Sequence, residues 1–199
     1  MKLVTLSSDF GKQTQGVGNM EAVVYSINPD ARVVHLMHGI EGFNAMQAAR
    51  TMETVYYMPV GYHVCVVDPG VGTQRKGIII KVKRGDYFIG PDNGCLITAP
   101  RLLGGIEKVV AITNEKYMIK PVSPIFHGRH VFAPAAAHLS KGVTMEEFGP
   151  EIKTEQLTKA PYEEADVENG KIEATVIHIN HFGSLHLNIL HEEWEKLSV

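Results

Sequence analysis

The chain is short of several things, and each shortage closes off a class of function. It has two cysteines in 199 residues, Cys65 and Cys95. That is too few for a disulfide-stapled secreted fold, and Cys65 lies inside an apolar run, so a reducing, cytoplasmic setting is expected. Excess charge is also missing. The net charge of -3 gives no electrostatic reason to bind nucleic acid or an anionic membrane. No apolar run reaches the length of a membrane span. The opening residues, Met1 to Asp9, turn polar too early for a signal peptide. Internal repeats and low-complexity tracts are absent. What remains is ordinary globular material, 44% hydrophobic and 21% charged, at a length that suits one domain and a smaller piece.

Periodicity orders that material. Leu3–Leu6 reads as a strand running into Ser7-Ser8-Asp9-Phe10-Gly11. Met20, Val23, Val24 and Ile27 fall at helical spacing, so residues 19–27 form an amphipathic helix that stops at Asn28-Pro29-Asp30. A strand at 32–36 follows, then a helix marked by Met46, Ala49, Met52 and Tyr56 with Asn44 as its N-cap, then a strand at 62–67. Strand–helix–strand–helix–strand predicts an α/β fold with a parallel sheet. Residues 77–83 and 87–90 read as a hairpin around Arg84-Gly85-Asp86, 109–112 as a strand, and Pro134 opens a helix. Residues 150–170 are charged and poor in large aliphatics. Beyond them, 171–179 alternates as a strand and 186–190 is a shorter one. Two or three strands cannot stand alone. The expected division is an α/β domain at 1–155, a linker at 156–170 and the start of a small β domain at 171–199, cut short.

The candidate chemistry begins at Asp68-Pro69-Gly70-Val71-Gly72-Thr73-Gln74-Arg75. The strand before it delivers a carboxylate to the sheet edge where α/β folds bind ligands. The glycines allow a tight turn across which Arg75 can fold back to Asp68. A structural ion pair fits this loop as well as a polar site does. His127, just before a helix, fits a capping role as well as a chemical one. Asp9 could be a turn residue. Asp92-Asn93-Gly94 reads as turn chemistry, and Phe43, Val71 and Phe126 would by default be core. His178, His181, His186 and His191 invite a metal, but no cysteine or carboxylate completes a usual ligand set, so none is expected.

Taken in order, Ser8-Asp9-Phe10-Gly11, Ile27-Asn28-Pro29-Asp30-Ala31, Val67-Asp68-Pro69-Gly70-Val71-Gly72-Thr73, Gly90-Pro91-Asp92-Asn93-Gly94, Phe126-His127-Gly128-Arg129, Ala137-His138-Leu139 and His181-Phe182-Gly183-Ser184 resemble the S-adenosyl-L-methionine hydroxide adenosyltransferases, or SAM hydrolases, relatives of fluorinase and chlorinase. The resemblance implies an α/β domain followed by a small β-barrel, a homotrimer, and substrate held between adjacent subunits. It implies hydrolysis of S-adenosyl-L-methionine to adenosine and L-methionine, without a cofactor, by Asp68, Arg75 and His127. Asp9 would bind the ribose hydroxyls and Phe43 would lie against the ribose. Val71 and Phe126 would wall the reacting carbon. Asn180, Phe182 and Ser184 would belong to the neighbouring subunit's part of the site. The family's aspartate and asparagine stand here as Asn180 and Ser184, the last residue of its FHGRD motif is His130, and Lys12-Gln13-Thr14-Gln15-Gly16 also departs from it. A nucleoside-binding module without turnover and a halogenase are the competing functions. Whether Asp68 or His127 takes the proton stays open at this level.

Overall fold

The computed structural model describes residues 2–11, 13–163, 165–168, 171–189 and 194–195. Its centre is a six-stranded sheet. The strands are β1 (Lys2–Ser8), β2 (Ala31–Met37), β3 (Gly61–Val66), β4 (Gly77–Val82), β5 (Tyr87–Pro91) and β6 (Ile106–Ala111), in the order β2-β1-β3-β5-β4-β6. The expected parallel pairing holds for β2-β1-β3-β5. The hairpin then reverses direction, so β4 runs antiparallel to both β5 and β6 and the sheet is mixed.

Helices cover both faces. α1 (Gln15–Ile27) and α4 (Ala133–Ser140) lie on one side, over a core of Val4, Leu6, Val64, Val66 and Ile89. α2 (Ala45–Glu53) and the short α3 (Thr98–Leu102) lie on the other, over Cys65, Val67, Ile78, Ile80 and Phe88. Burial on both faces explains why β3 and β4 read as nearly continuous apolar runs. Met20 and Val24 turn into the core as the spacing predicts. The helix starts at Gln15 rather than at 19 because Gly16 packs under the Phe10 ring, where a Cβ would come within 2.9 Å, and glycine hides a helix start from propensity. In α2, Asn44 caps as expected, its side-chain oxygen accepting from the Gln47 N–H at 2.9 Å. Tyr56 does not continue that helix. It sits in a 3-10 turn, Thr54–Tyr57, whose buried residue is Val55.

The region after residue 150 is less extended than a linker. Tyr162 is buried against α2, where its hydroxyl donates to Glu53 Oε1 at 2.7 Å. The strand expected over 171–179 breaks in two at Ala174-Thr175. β7 (Asp166–Glu168) pairs with β8 (Lys171–Glu173), and β9 (Val176–Ile179) pairs with β10 (Leu185–Leu187). Leu190 and His191 lie outside the described residues. Among the described residues, no helix is long and apolar enough to cross a membrane.

Candidate active site

The strand order fixes where a ligand can sit. From β1 the chain crosses to one side to make β2, then to the other to make β3. The crevice between the carboxyl ends of β1 and β3 is therefore the switch point of the sheet. Asp9 follows β1 there and Asp68 follows β3. A cavity of about 350 Å³ opens at that point, lined by Asp9, Phe10, Phe43, Asp68, Phe126 and His127, with Val71 on its wall.

Arg75 folds back across the glycine turn. Its Nε donates to Asp68 Oδ1 at 2.7 Å, and its Nη2 donates to Asp68 Oδ2, so the guanidinium grips the carboxylate side-on. Gly70 makes room for this: a Cβ there would lie 2.9 Å from Arg75 Cγ. The same Nη2 lies 2.8 Å from His127 Nδ1. Arginine has no acceptor, so His127 Nδ1 must accept, and the ring proton of the neutral imidazole rests on Nε2. Burial, and then the charge of Arg75, lower the His127 pKa from its ordinary value. The ring is thus held neutral in one tautomer.

His127 reaches this position at the start of a π-helical turn, Gly128–Phe132, closed by the Ala133 N–H donating to Gly128 O. Gly128 lets that turn pack closely. A Cβ there would meet Met20 Sδ at 3.0 Å and Val66 Cγ1 at 3.2 Å. Phe132 is fully buried behind the cluster, 5.2 Å from the Arg75 guanidinium carbon. Neither it nor Phe10 stood out as a site residue in the sequence. The available signal was that Phe10 sits directly after a strand-end carboxylate. Asn93 supports the cluster indirectly. Its side-chain amide donates to Val67 O at 2.7 Å, tying down the strand end that carries Asp68.

Asp9 Oδ2 accepts from the Phe43 N–H at 2.9 Å. Phe43 holds φ at +64°, a left-handed conformation unusual for a bulky side chain, and its ring is 67% exposed at the cavity mouth. Asn180, Phe182 and Ser184 are not brought to the cavity of their own chain. They form the turn between β9 and β10, where Asn180 Oδ1 accepts from the N–H groups of Phe182 and Ser184. The Phe182 ring there is 80% exposed. His178 and His186 face each other across that hairpin with ring centroids 5.4 Å apart, and among the described residues no group of three metal-ligating side chains converges.

Comparison with known proteins gives the family of the chain. Residues 4–149 match the family model described as the SAM hydroxide adenosyltransferase N-terminal domain. A protein of Salinispora arenicola named (R)-S-adenosyl-L-methionine hydrolase is 35% identical over 185 residues, covering 92% of this chain and 70% of the relative. A protein of the same name from Methanocaldococcus jannaschii is 34% identical, covering 97% of this chain and 69% of its own. The crystal structure of an uncharacterized conserved protein from Thermotoga maritima superposes with a TM-score of 0.90 at 34% identity, over 99% of this chain and 74% of that one. The switch-point cavity is thus built by a chain that belongs to the SAM hydroxide adenosyltransferase family.

Proposed function

We propose that this protein hydrolyses S-adenosyl-L-methionine to adenosine and L-methionine, with Asp68, Arg75 and His127 acting on the attacking water. The observation that carries the proposal is the hydrogen-bonded cluster of those three side chains at the cavity between β1 and β3. The carboxylates that line the cavity are Asp9 and Asp68. That suits a sulfonium substrate better than an anion.

The sulfonium departs as a neutral thioether and needs no general acid. The difficulty is to hold water, a poor nucleophile, in line with the ribose 5′ carbon, and such positioning can supply about 7–11 kcal/mol. The water oxygen forms the new bond to C5′ as the C5′–S bond breaks, its electron pair passing to sulfur. The proton goes to Asp68 and then to solvent. His127 is not the base in this reading, because Nδ1 is occupied by Arg75 and Nε2 already carries hydrogen. It orients the water as a donor. Val71 and Phe126 exclude bulk solvent from the reacting carbon.

We infer a homotrimer in which the β9–β10 turn of a neighbouring copy brings Asn180, Phe182 and Ser184 to the open mouth of the cavity. The exposed Phe182 ring supports this, as does the absence of that turn's residues from the lining of its own chain's cavity. Residues 171–199 then serve the neighbouring copy's site, while 156–170, anchored on α2 through Tyr162, join them to 1–155. The reaction needs no cofactor, and two buried free thiols suit a reducing cytoplasm. The test is incubation with S-adenosyl-L-methionine in ¹⁸O-water. Adenosine carrying one ¹⁸O at its 5′ hydroxyl is expected. Nucleoside binding without any adenosine would make the protein a binding module, and product formation only with added halide would make it a halogenase.

A further inference from the structure

A second chain of polar side chains runs from the surface of α1 to the loop that carries Asp9. Glu21 Oε2 lies 3.2 Å from His35 Nε2, His35 Nδ1 lies 2.8 Å from His38 Nε2, and His38 Nδ1 lies 2.7 Å from Ser8 Oγ. The directions follow from one end. A carboxylate only accepts, so His35 Nε2 carries hydrogen. In a neutral ring His35 Nδ1 then accepts, so His38 Nε2–H donates to it. His38 Nδ1 is left to accept from the Ser8 hydroxyl.

The other end holds the cavity wall. Ser8 Oγ accepts from the Phe10 N–H at 3.3 Å, and the backbone oxygen of His38 accepts from the Gly11 N–H at 2.7 Å. His38 therefore grips the segment Asp9-Phe10-Gly11 on both sides of the residues that line the cavity. Ser8 is fully buried and does not line the cavity, so it has no route to substrate as a nucleophile.

We propose that Glu21, His35, His38 and Ser8 form a positioning relay that sets the Asp9–Gly11 loop for the ribose and couples substrate affinity to the protonation of His35. The inference rests on the reading of the cavity as a site for S-adenosyl-L-methionine. A proton arriving at His35 makes both its nitrogens donors. His38 must then accept at Nε2 and donate from Nδ1, and the Ser8 hydroxyl hydrogen loses its acceptor in a fully buried position. Among the described residues, the titratable groups around the relay are Glu21 from α1, His35 from the end of β2 and Asp9 from the loop itself, whose carboxylate turns to Phe43. Burial and the neighbouring His35 hold the His38 pKa down to about 4.

The experiment is steady-state kinetics from about pH 5 to about pH 8 on wild type, His38→Ala, His38→Asn and Glu21→Gln, with melting curves as folding controls. His38→Ala is expected to raise KM about fivefold to tenfold with kcat little changed, the size of one lost hydrogen bond. His38→Asn keeps an acceptor for Ser8 but severs His35. It is expected to restore KM and to flatten its pH dependence. Glu21→Gln, at the exposed end, is expected to fold normally and shift that dependence, which keeps the proposal testable should His38→Ala fail to fold. An unchanged KM in His38→Ala, a loss confined to kcat, or no rescue by asparagine would each overturn the relay. Imidazole ¹⁵N shifts give a readout that needs no substrate, with hydrogen expected on Nε2 of both His35 and His38. Hydrogen on His38 Nδ1 overturns the relay whether or not the protein turns over. Absence of adenosine from wild type, with the expected tautomers present, would overturn the hydrolase reading instead.

Discussion

Arg75 contacts Asp68 through two nitrogens and His127 through one of the same pair. A lysine ammonium is a single point on a flexible stem and cannot hold both partners in that geometry. Arg75→Lys is therefore expected to lower kcat by roughly 100-fold or more while leaving the melting temperature within a few degrees of wild type. Adenosine release under saturating substrate checks this, and near-normal turnover would remove Arg75 from the mechanism. The same contact sets a pH profile. His127 titrates below its ordinary value of 6.5, because burial and Arg75 both disfavour its charged form. Protonation puts a hydrogen on Nδ1 facing the guanidinium. The expected kcat is flat above neutrality and declines on an acidic limb whose midpoint lies below 6.5. A midpoint above that value would assign the limb to another group. Phe43 makes a third case. Its left-handed backbone is held by Asp9, so Phe43→Gly is expected to stabilise the fold by up to about 1 kcal/mol in urea titration while weakening substrate binding.

Among elements, the Asp68–Arg75 turn depends on having no side chain at Gly70. Gly70→Ala places a methyl 2.9 Å from Arg75 Cγ and is expected to cut kcat with little effect on folding, as the guanidinium is pushed off Asp68. This turn was readable in the sequence because strand, carboxylate, glycines and arginine are contiguous. The β1–α1–β2–α2–β3 order and the β4–β5 hairpin were readable for the same local reason. Other features depend on contacts that the sequence does not carry. Residues 98–102 contain a proline and make only five residues of helix, below what periodicity detects. The burial of Tyr162 follows from Glu53, 109 positions away, and from Arg101 over its ring, so a charged stretch read as linker is anchored. Removing that hydroxyl in Tyr162→Phe is expected to cost about 1 kcal/mol or slightly more in urea unfolding. The meeting of His127 with Arg75 was legible through resemblance to a family and not from spacing. The tautomer on which the proposed role of His127 rests depends on its contact with Arg75 Nη2, which only the structure supplies.

For the whole molecule, acid stability should fall in two stages. His38 has its pKa lowered from 6.5 to about 4 in the fold. The unfolded chain therefore binds the proton first, and stability is full above 6.5 and drains away as pH falls to about 4. Asp86 is fully buried, its carboxylate bonded to His63 and Arg84, and those bonds lower its pKa. Its contribution persists above the ordinary carboxylate value and is lost below it. Melting temperature is thus expected to begin dropping near pH 6.5, ahead of the carboxylates, and His38→Asn should shrink that first stage, to which His127 and the buried His63, their pKa values also lowered, contribute as well. A melting temperature level from pH 7 down to about pH 4.5 would contradict the assignment. The widened helical turn at Gly128–Phe132 joins the α4 layer to the sheet crevice, and it carries one residue more than an α-helical path would hold. Deleting a single residue within it would let the segment rewind as ordinary helix. Everything upstream would then swing about 100° around the axis. The imidazole at its leading end would turn away from the guanidinium with no change in composition at the site, so the spacing between His127 and α4 constrains this protein as tightly as the identity of the histidine.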